Sequence, residues 1–493
     1  MNATKRYILV FSIFVFFSSA VLAGAEWTFL VYAQTKNDLN AYFIQNLRDM
    51  AQVGSNERLN VIVQWEQPNR KGVWRYKVNK GKVVLDQHLA TPTGNDCAAD
   101  VVNFTKWAVS KYPAKHYALV LSSHGSGIID PAYWRSSGLR GVLSDVDVKS
   151  PRGILFNWEN KNYMTNQHLS KTLRMIKNNV LGRNLDVLGM DACLMSTVEM
   201  QYQVRDYANF FVASQEQEPA GGWFFSAFLR DLASRNLTPF ELSSLIVGTY
   251  KQYYERRFDW YTQSAVKLED VSSIKDNLDQ IIVRLNECGK QFGKQAVKNL
   301  VRNARRSCLQ LNVPLYVDLH SFYKELYKGL QNNSLKDVYF DDAYTKDEEL
   351  IVVENYLDLA ISLSDDFAIC ENEISYFKDT KYEFSPTTTN SKFEIHEDLF
   401  FEQEEFETNQ TTTHNIFQDT KGNFIVESLK EDLALGMKFI EAGVVANVAG
   451  PSMSRAKGLS IYYPNDRVVD ASYPKTEFAK DSLWLQFLRD YVR

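Results

Sequence analysis

Two residues of this chain sit where a sheet would hand them to a substrate: Cys193 and His124. The cysteine ends the run Asn184-Leu185-Asp186-Val187-Leu188-Gly189-Met190-Asp191-Ala192-Cys193, mostly apolar up to Met190, and a helical pattern takes over at Leu194. The histidine ends His116-Tyr117-Ala118-Leu119-Val120-Leu121-Ser122-Ser123-His124, with Gly125 behind it. Runs of this kind predict buried strands of an α/β sheet, and reacting groups collect outside the carboxyl ends of such strands. If both strands are central and parallel, a thiol and an imidazole emerge from one sheet edge. That is the minimum for a cysteine nucleophile: the imidazole draws the proton from sulfur and later gives one to the leaving group.

The neighbours of the pair fit the same chemistry. Gly125 has no Cβ, so the backbone can approach a substrate closely there, and its amide and that of Cys193 are candidate oxyanion donors. Cys193 is expected to open a helix, whose amino terminus would favour the thiolate. Plainer roles exist for each residue: His124 as a turn cap, Cys193 as a buried structural thiol. Asp191, two residues before the cysteine, should point to the same side as the thiol. A carboxylate there would hinder thiol ionisation, so it reads either as the floor of a pocket for a basic side chain or as the N-cap of the following helix.

The elements that must position these groups are readable along the chain. Trp27–Ala33 and Leu59–Trp65 predict strands, with a helix between them that presents Leu39, Phe43, Leu47 and Met50 and is capped by Asn37 or Asp38. Val73–Val78 and Gly81–Leu85 predict a hairpin, and Asp96–Lys111 a helix leading to the His124 strand. A polar connection over Gly125–Tyr163, long enough to suggest a functional loop, precedes a helix at Met164–Val180 and the Cys193 strand. Beyond it come a helix at Leu194–Arg205, a strand at Phe210–Ser214, helices at Trp223–Ser234 and Pro239–Arg256, and a strand at Ser264–Leu268. The order implies a largely parallel sheet with helices on its faces. From Val271 to about Ser362 the pattern is helical. A weak strand at Ile374–Phe377, a polar acidic stretch at Ser385–Asn415, a strand at Lys457–Pro464 and a terminal helix at Phe478–Tyr491 complete it.

Composition bounds the rest. At 493 residues the chain suggests two or three domains, and its 45% hydrophobic content supplies a core. A net charge of −5 argues against general nucleic-acid binding. Lys5 and Arg6, the apolar run Tyr7–Phe17 and the small residues up to Ala25 make a secretory signal peptide, with an uncleaved anchor as the alternative. No other stretch is long and apolar enough to cross a membrane. Five cysteines in an exported chain leave at least one thiol unpaired, assigned here to Cys193, and no C-x-x-C pair supports a metal site.

The His124 strand with its Ser-His-Gly ending and Met190-Asp191-Ala192-Cys193-Leu194-Met195 resemble the clostripain family of cysteine peptidases. So do Ala213-Ser214-Gln215-Glu216, Glu218-Pro219, Gly222-Trp223 and the late Gly458-Leu459-Ser460-Ile461-Tyr462-Tyr463-Pro464. The resemblance implies a caspase-like α/β core with a Cys-His dyad, cleavage after Arg or Lys, and self-cleavage in the loop between histidine and cysteine. It makes His124 the general base, Cys193 the nucleophile and Asp191 one acid of the P1 pocket. Gly221 falls where relatives carry a second such acid, with Glu216 or Glu218 as possible substitutes. Arg135, Arg140, Lys149 and Arg152 are the candidate self-cleavage sites, or routine charges of a surface loop. Calcium enters by resemblance alone, since no acidic cluster has EF-hand spacing.

The expectation is therefore a secreted or periplasmic cysteine endopeptidase acting on protein or peptide substrates. Its parts are a signal peptide over residues 1–25, a caspase-like core over 26–268 and a helical to mixed region over 269–493 packed on that core. The rivals are an exported binding or adhesion protein that keeps an inactive peptidase fold and, less favoured, an enzyme transferring acyl groups from non-peptide amides.

Overall fold

The computed structural model describes residues 24–90, 97–128, 153–332, 420–464 and 469–492. Nearly all of the expected signal peptide lies outside these residues. So do the four candidate self-cleavage sites, the helix expected at Lys346–Ser362, the strand at Ile374–Phe377 and the acidic stretch at Ser385–Asn415.

The amino-terminal half runs β1 (Ala25–Gln34), α1 (Asn40–Val53), β2 (Leu59–Glu66), β3 (Val73–Asn79), β4 (Lys82–Leu89), α2 (Cys97–Lys111) and β5 (Ala114–Ser122). Then come the small hairpin β6 (Gly153–Asn157) and β7 (Asn162–Thr165), α3 (Asn166–Ile176), β8 (Leu185–Asp191), α4 (Val198–Val204) and β9 (Ala208–Ala213). Next are α5 (Phe225–Ser234), α6 (Pro239–Tyr254), β10 (Thr262–Lys267), α7 (Val271–Phe292), α8 (Lys294–Ser307), β11 (Tyr316–Asp318) and α9 (Leu319–Gln331). After the undescribed segment follow α10 (Thr420–Gly443), β12 (Val444–Ala449) and β13 (Ser460–Tyr462).

Nine strands form one sheet in the order β12-β10-β9-β8-β5-β1-β2-β3-β4. The five middle strands, β9 through β2, are parallel, and antiparallel strands close both ends. Side-chain alternation divides the core in two. Trp27, Phe29 and Val31 of β1 pack with α1, α5 and α6 on one face, while Leu30 and Tyr32 pack with α2 on the other. The nearly continuous apolar run of β1 is what makes both faces dry. β12, which sequence reading did not assign, pairs with β10 at the sheet's end, so the sheet draws on both halves of the chain.

Two expected helices differ. The terminal one at Phe478–Tyr491 is broken, because Ser482 takes extended backbone angles after a short turn of helix at Glu477–Asp481. The helix expected to open at Leu194 starts instead at Val198, where the Thr197 side chain accepts from the Met200 amide. Part of the long Gly125–Tyr163 connection is also ordered as the β6–β7 hairpin.

Candidate active site

β5 and β8 lie side by side in parallel, with Ser122 opposite Asp191. The Ser123 amide continues the ladder to the Asp191 carbonyl at 3.3 Å. His124 and Cys193 each follow two residues later, so both leave the same sheet edge from adjacent strands. No layer of side chains separates the two turns: a Cβ on Gly125 would lie 2.6 Å from the Cys193 carbonyl oxygen and 3.0 Å from Ala192 Cβ.

The turn after Cys193 is sharp. Leu194 adopts φ +64°, rare for a side chain of its kind, and its amide donates to the Glu216 carbonyl at 3.0 Å. Cys193 is therefore not at a helix amino terminus, and the expected lowering of its thiol is overturned. Desolvation pushes the thiol up to about 12; the Glu218 amide works against this, and the Glu218 and Glu216 carboxyls add to it. The sulfur is held by the Glu218 peptide, accepting from its amide at 3.3 Å and facing its carbonyl at 3.8 Å. Among the described residues no hydrogen bond joins this sulfur to His124. The amides of Gly125 and Cys193, the expected oxyanion donors, donate to no other described residue.

His124 has partners that sequence reading missed. Its Nε2 lies 2.6 Å from Asp38 Oδ1, and its ring stacks on Trp158 with centroids 5.6 Å apart and planes 6° from parallel. Asp38 was a candidate cap of α1. In the structure Leu39 occupies that position without a side-chain cap, and the Asp38 carboxylate turns to the imidazole. Trp158 comes from the β6–β7 connection. Neither residue carries a local signal for this role, since each reaches His124 only through the tertiary fold.

Asp191 faces the same side of the sheet as Ser122, whose hydroxyl donates to Asp191 Oδ2 at 2.8 Å. The helix-cap reading of Asp191 fails, because the next helix begins seven residues later. Its carboxyl is raised to about 6, chiefly by burial, against which hydrogen bonds from Ser122, Glu218 and the Trp223 amide work. Glu218 is raised well above the usual carboxylate range, first by burial and then by Asp191 itself. Two carboxyls in contact, away from water, hold one proton between them, and the stronger rise falls on Glu218. Glu218 thus supplies a second carboxyl beside Asp191, although Gly221 stands at the position where relatives carry theirs. Gly222 lies against Asp191 at φ +62°, where a Cβ would fall 2.6 Å from Asp191 Oδ1.

The loop carrying Glu216 and Glu218 is braced by the carboxyl-terminal region. Glu216 accepts from the Asn312 amide at 2.8 Å, and Gln215 bridges Asp318 and the Gly458 amide. The late Gly458–Pro464 motif docks behind the Cys193 turn, where the Ser460 amide donates to the Ser196 carbonyl at 3.0 Å. Among the described residues no group of three or more His, Cys, Asp or Glu side chains is placed to hold a metal ion.

The model of the clostripain family matches residues 31–491. No curated protein matches the chain. Among solved structures, an inactive zymogen C11 protease from Parabacteroides distasonis is 19% identical, with 64% of this chain and 81% of that chain covered and a TM-score of 0.45. A secreted C11 cysteine protease from Bacteroides thetaiotaomicron in complex with an irreversible peptide inhibitor is 18% identical over 61% of this chain and 78% of that one, with a TM-score of 0.43. A second structure of a secreted C11 cysteine protease from that organism is 15% identical over 63% and 85%, with a TM-score of 0.45. With nearly its whole length matched by the family model, this chain belongs to the clostripain family of cysteine peptidases.

Proposed function

We propose that the protein is an exported cysteine endopeptidase that cleaves after basic residues, with Cys193 as nucleophile and His124 as general base. The observation that carries the reading is the adjacency of the two turns at the ends of β5 and β8, where Gly125 touches the Cys193 peptide. In the reaction, the Cys193 proton passes to His124 and sulfur attacks the substrate carbonyl carbon. The oxyanion rests on the Gly125 and Cys193 amides. His124 gives its proton to the departing amine, leaving an acyl-enzyme. Water then attacks the acyl carbon as His124 takes its proton, and sulfur leaves with a proton returned from the ring.

The Asp191–Glu218 pair supports a basic P1 residue, because a guanidinium or ammonium ion entering beside it would displace the shared proton and face two carboxylates. Before that, the Glu218 peptide must release the sulfur, which is the behaviour expected of a zymogen. Self-cleavage would fall at Arg135, Arg140, Lys149 or Arg152. The basic start and short apolar run before Ala25 support secretion or a periplasmic location. No helix among the described residues is long and apolar enough to cross a membrane.

The closed, protonated thiol favours a second reading, an exported binding or adhesion protein on an inactive peptidase fold. A thiol-reactive peptide probe with a basic P1 residue separates the two, since an inactive fold would not label selectively at Cys193. Cys193→Ala is expected to abolish both peptide hydrolysis and self-cleavage, measured with a fluorogenic peptide and by intact mass. Undiminished turnover in that variant rejects the peptidase reading.

A further inference from the structure

We propose that Asp38 is the positioning residue of the catalytic histidine, holding His124 through Nε2 so that Nδ1 is the nitrogen offered to the Cys193 thiol. The proposal rests on the peptidase reading above and adds a third member to its Cys-His pair.

The geometry leaves one arrangement of protons. An ionised carboxylate only accepts hydrogen bonds, so at 2.6 Å from Asp38 Oδ1 the His124 Nε2 must carry the hydrogen. In the neutral ring Nδ1 is then the acceptor, and it makes no hydrogen bond to the described residues. Once the thiol proton arrives, the ring is positive and Asp38 balances the charge directly. Trp158, stacked 6° from parallel on the imidazole, fixes the plane in which both nitrogens lie.

An exposed carboxylate beside a histidine is often a surface pair of little consequence. This one is held from both sides. Asn37, the residue before Asp38, donates to Ser123 Oγ at 3.3 Å, and Ser123 is the residue before His124. Asn37 also donates to the Phe156 carbonyl at 2.9 Å, and the Lys36 carbonyl accepts from the Trp158 amide at 2.9 Å. One short loop therefore anchors the carboxylate, the hairpin bearing Trp158 and the turn bearing His124. The Leu39 amide donates to Asn37 Oδ1 at 3.0 Å, which fixes the turn that aims Asp38 at the ring.

The test is steady-state kinetics of Asp38→Asn and Asp38→Glu in the full chain, with nitrogen NMR of histidine-labelled Cys193→Ala protein, which cannot cut itself. Asp38→Asn is expected to lower kcat by about 10- to 100-fold, the effect of losing one hydrogen bond to a charged group, with KM changed less than about threefold. Asp38→Glu should recover part of that loss, and the melting temperature should hold, since Asp38 is 38% exposed. His124 in the Cys193→Ala protein should show protonated Nε2 and bare Nδ1. A bare Nε2 in that spectrum, or an Asp38→Asn kcat within about twofold of wild type, overturns the positioning role while the peptidase reading stands. If Cys193→Ala itself keeps full turnover, the underlying reading falls instead.

Discussion

In the uncut chain the Cys193 thiol should react like a buried, protonated sulfur and not like a primed nucleophile. The test protein carries Arg135→Ala, Arg140→Ala, Lys149→Ala and Arg152→Ala to remove the candidate processing sites. With the thiol pushed up to about 12, its ionised fraction at neutral to mildly basic pH is small. At about pH 8 roughly one molecule in ten thousand is a thiolate, against about a quarter for an ordinary thiol near 8.5. That is a deficit of about two thousandfold. A more basic thiolate is also a better nucleophile, by about thirty- to fiftyfold over this interval at a Brønsted slope of about 0.4–0.5. The net expectation is that Cys193 lags an exposed model thiol by on the order of a hundredfold.

A neutral aromatic disulfide, with peptide mapping to assign the modified cysteine, measures this between about pH 6 and 10. The rate should climb about tenfold per pH unit with no plateau, because the ionised fraction is still far from saturation. Mapping matters because Cys288 and Cys308 are buried and raised to about 12 as well. In the self-processed protein the profile should flatten and the rate rise, as sulfur leaves the Glu218 peptide and meets His124. A plateau below about pH 8 in the uncut chain would show a thiolate already formed, and the reasoning from burial and the Glu218 contact would be wrong.

Gly125→Ala should part the His124 and Cys193 turns, because its Cβ would lie 2.6 Å from the Cys193 carbonyl oxygen and 3.0 Å from Met195 Sδ. Activity is expected to fall by about 100-fold for a displacement near 1 Å, with a stability loss of only about 1–3 kcal/mol by denaturant titration; wild-type activity would refute the close approach. Glu199 is fully buried and raised to about 7, chiefly by burial, although the Tyr462 amide and Tyr473 hydroxyl donate to it. Its folded value exceeds its unfolded one, so the stability linked to its proton is complete below about pH 4 and is lost as pH rises through about 7. Glu199→Gln should abolish that loss, worth about 2.5 kcal/mol between pH 5 and 8; equal pH slopes in variant and wild type would disprove it.

Much of the fold was legible because the middle of a parallel sheet writes itself plainly. Leu119 to Leu121 and Val187 to Met190 are buried on both sides, so they read as continuous apolar runs, and the residues after them had to surface at one edge. β12 was missed for the opposite reason. Val444-Val445-Ala446-Asn447-Val448-Ala449 follows a long helix directly, is only half-buried, and its apolar spacing does not separate a strand from further helix. The helix start at Cys193 was misplaced because nothing in Leu194 announces a positive φ. That conformation is imposed by its contact with Glu216, 22 residues further along the chain.

The candidate site divides along the same line. Cys193 and His124 were visible because each follows a strand that fixes where it goes. Asp38 and Glu218 sit in loops, and a loop's sequence rarely says what its tertiary neighbour will be. A short carboxylate just before a helix is the commonest helix cap, and Asp38 has just that local context. Only its distance from a ring 86 positions away in sequence decides between cap and histidine partner. Glu218 was the harder case still. Its neighbour Gly221 pointed to a lost acid, yet in the fold the Glu218 side chain meets Asp191. Sequence offers Glu216 and Glu218 alike as substitutes for that acid, and only the fold decides between them by setting Glu218 against Asp191.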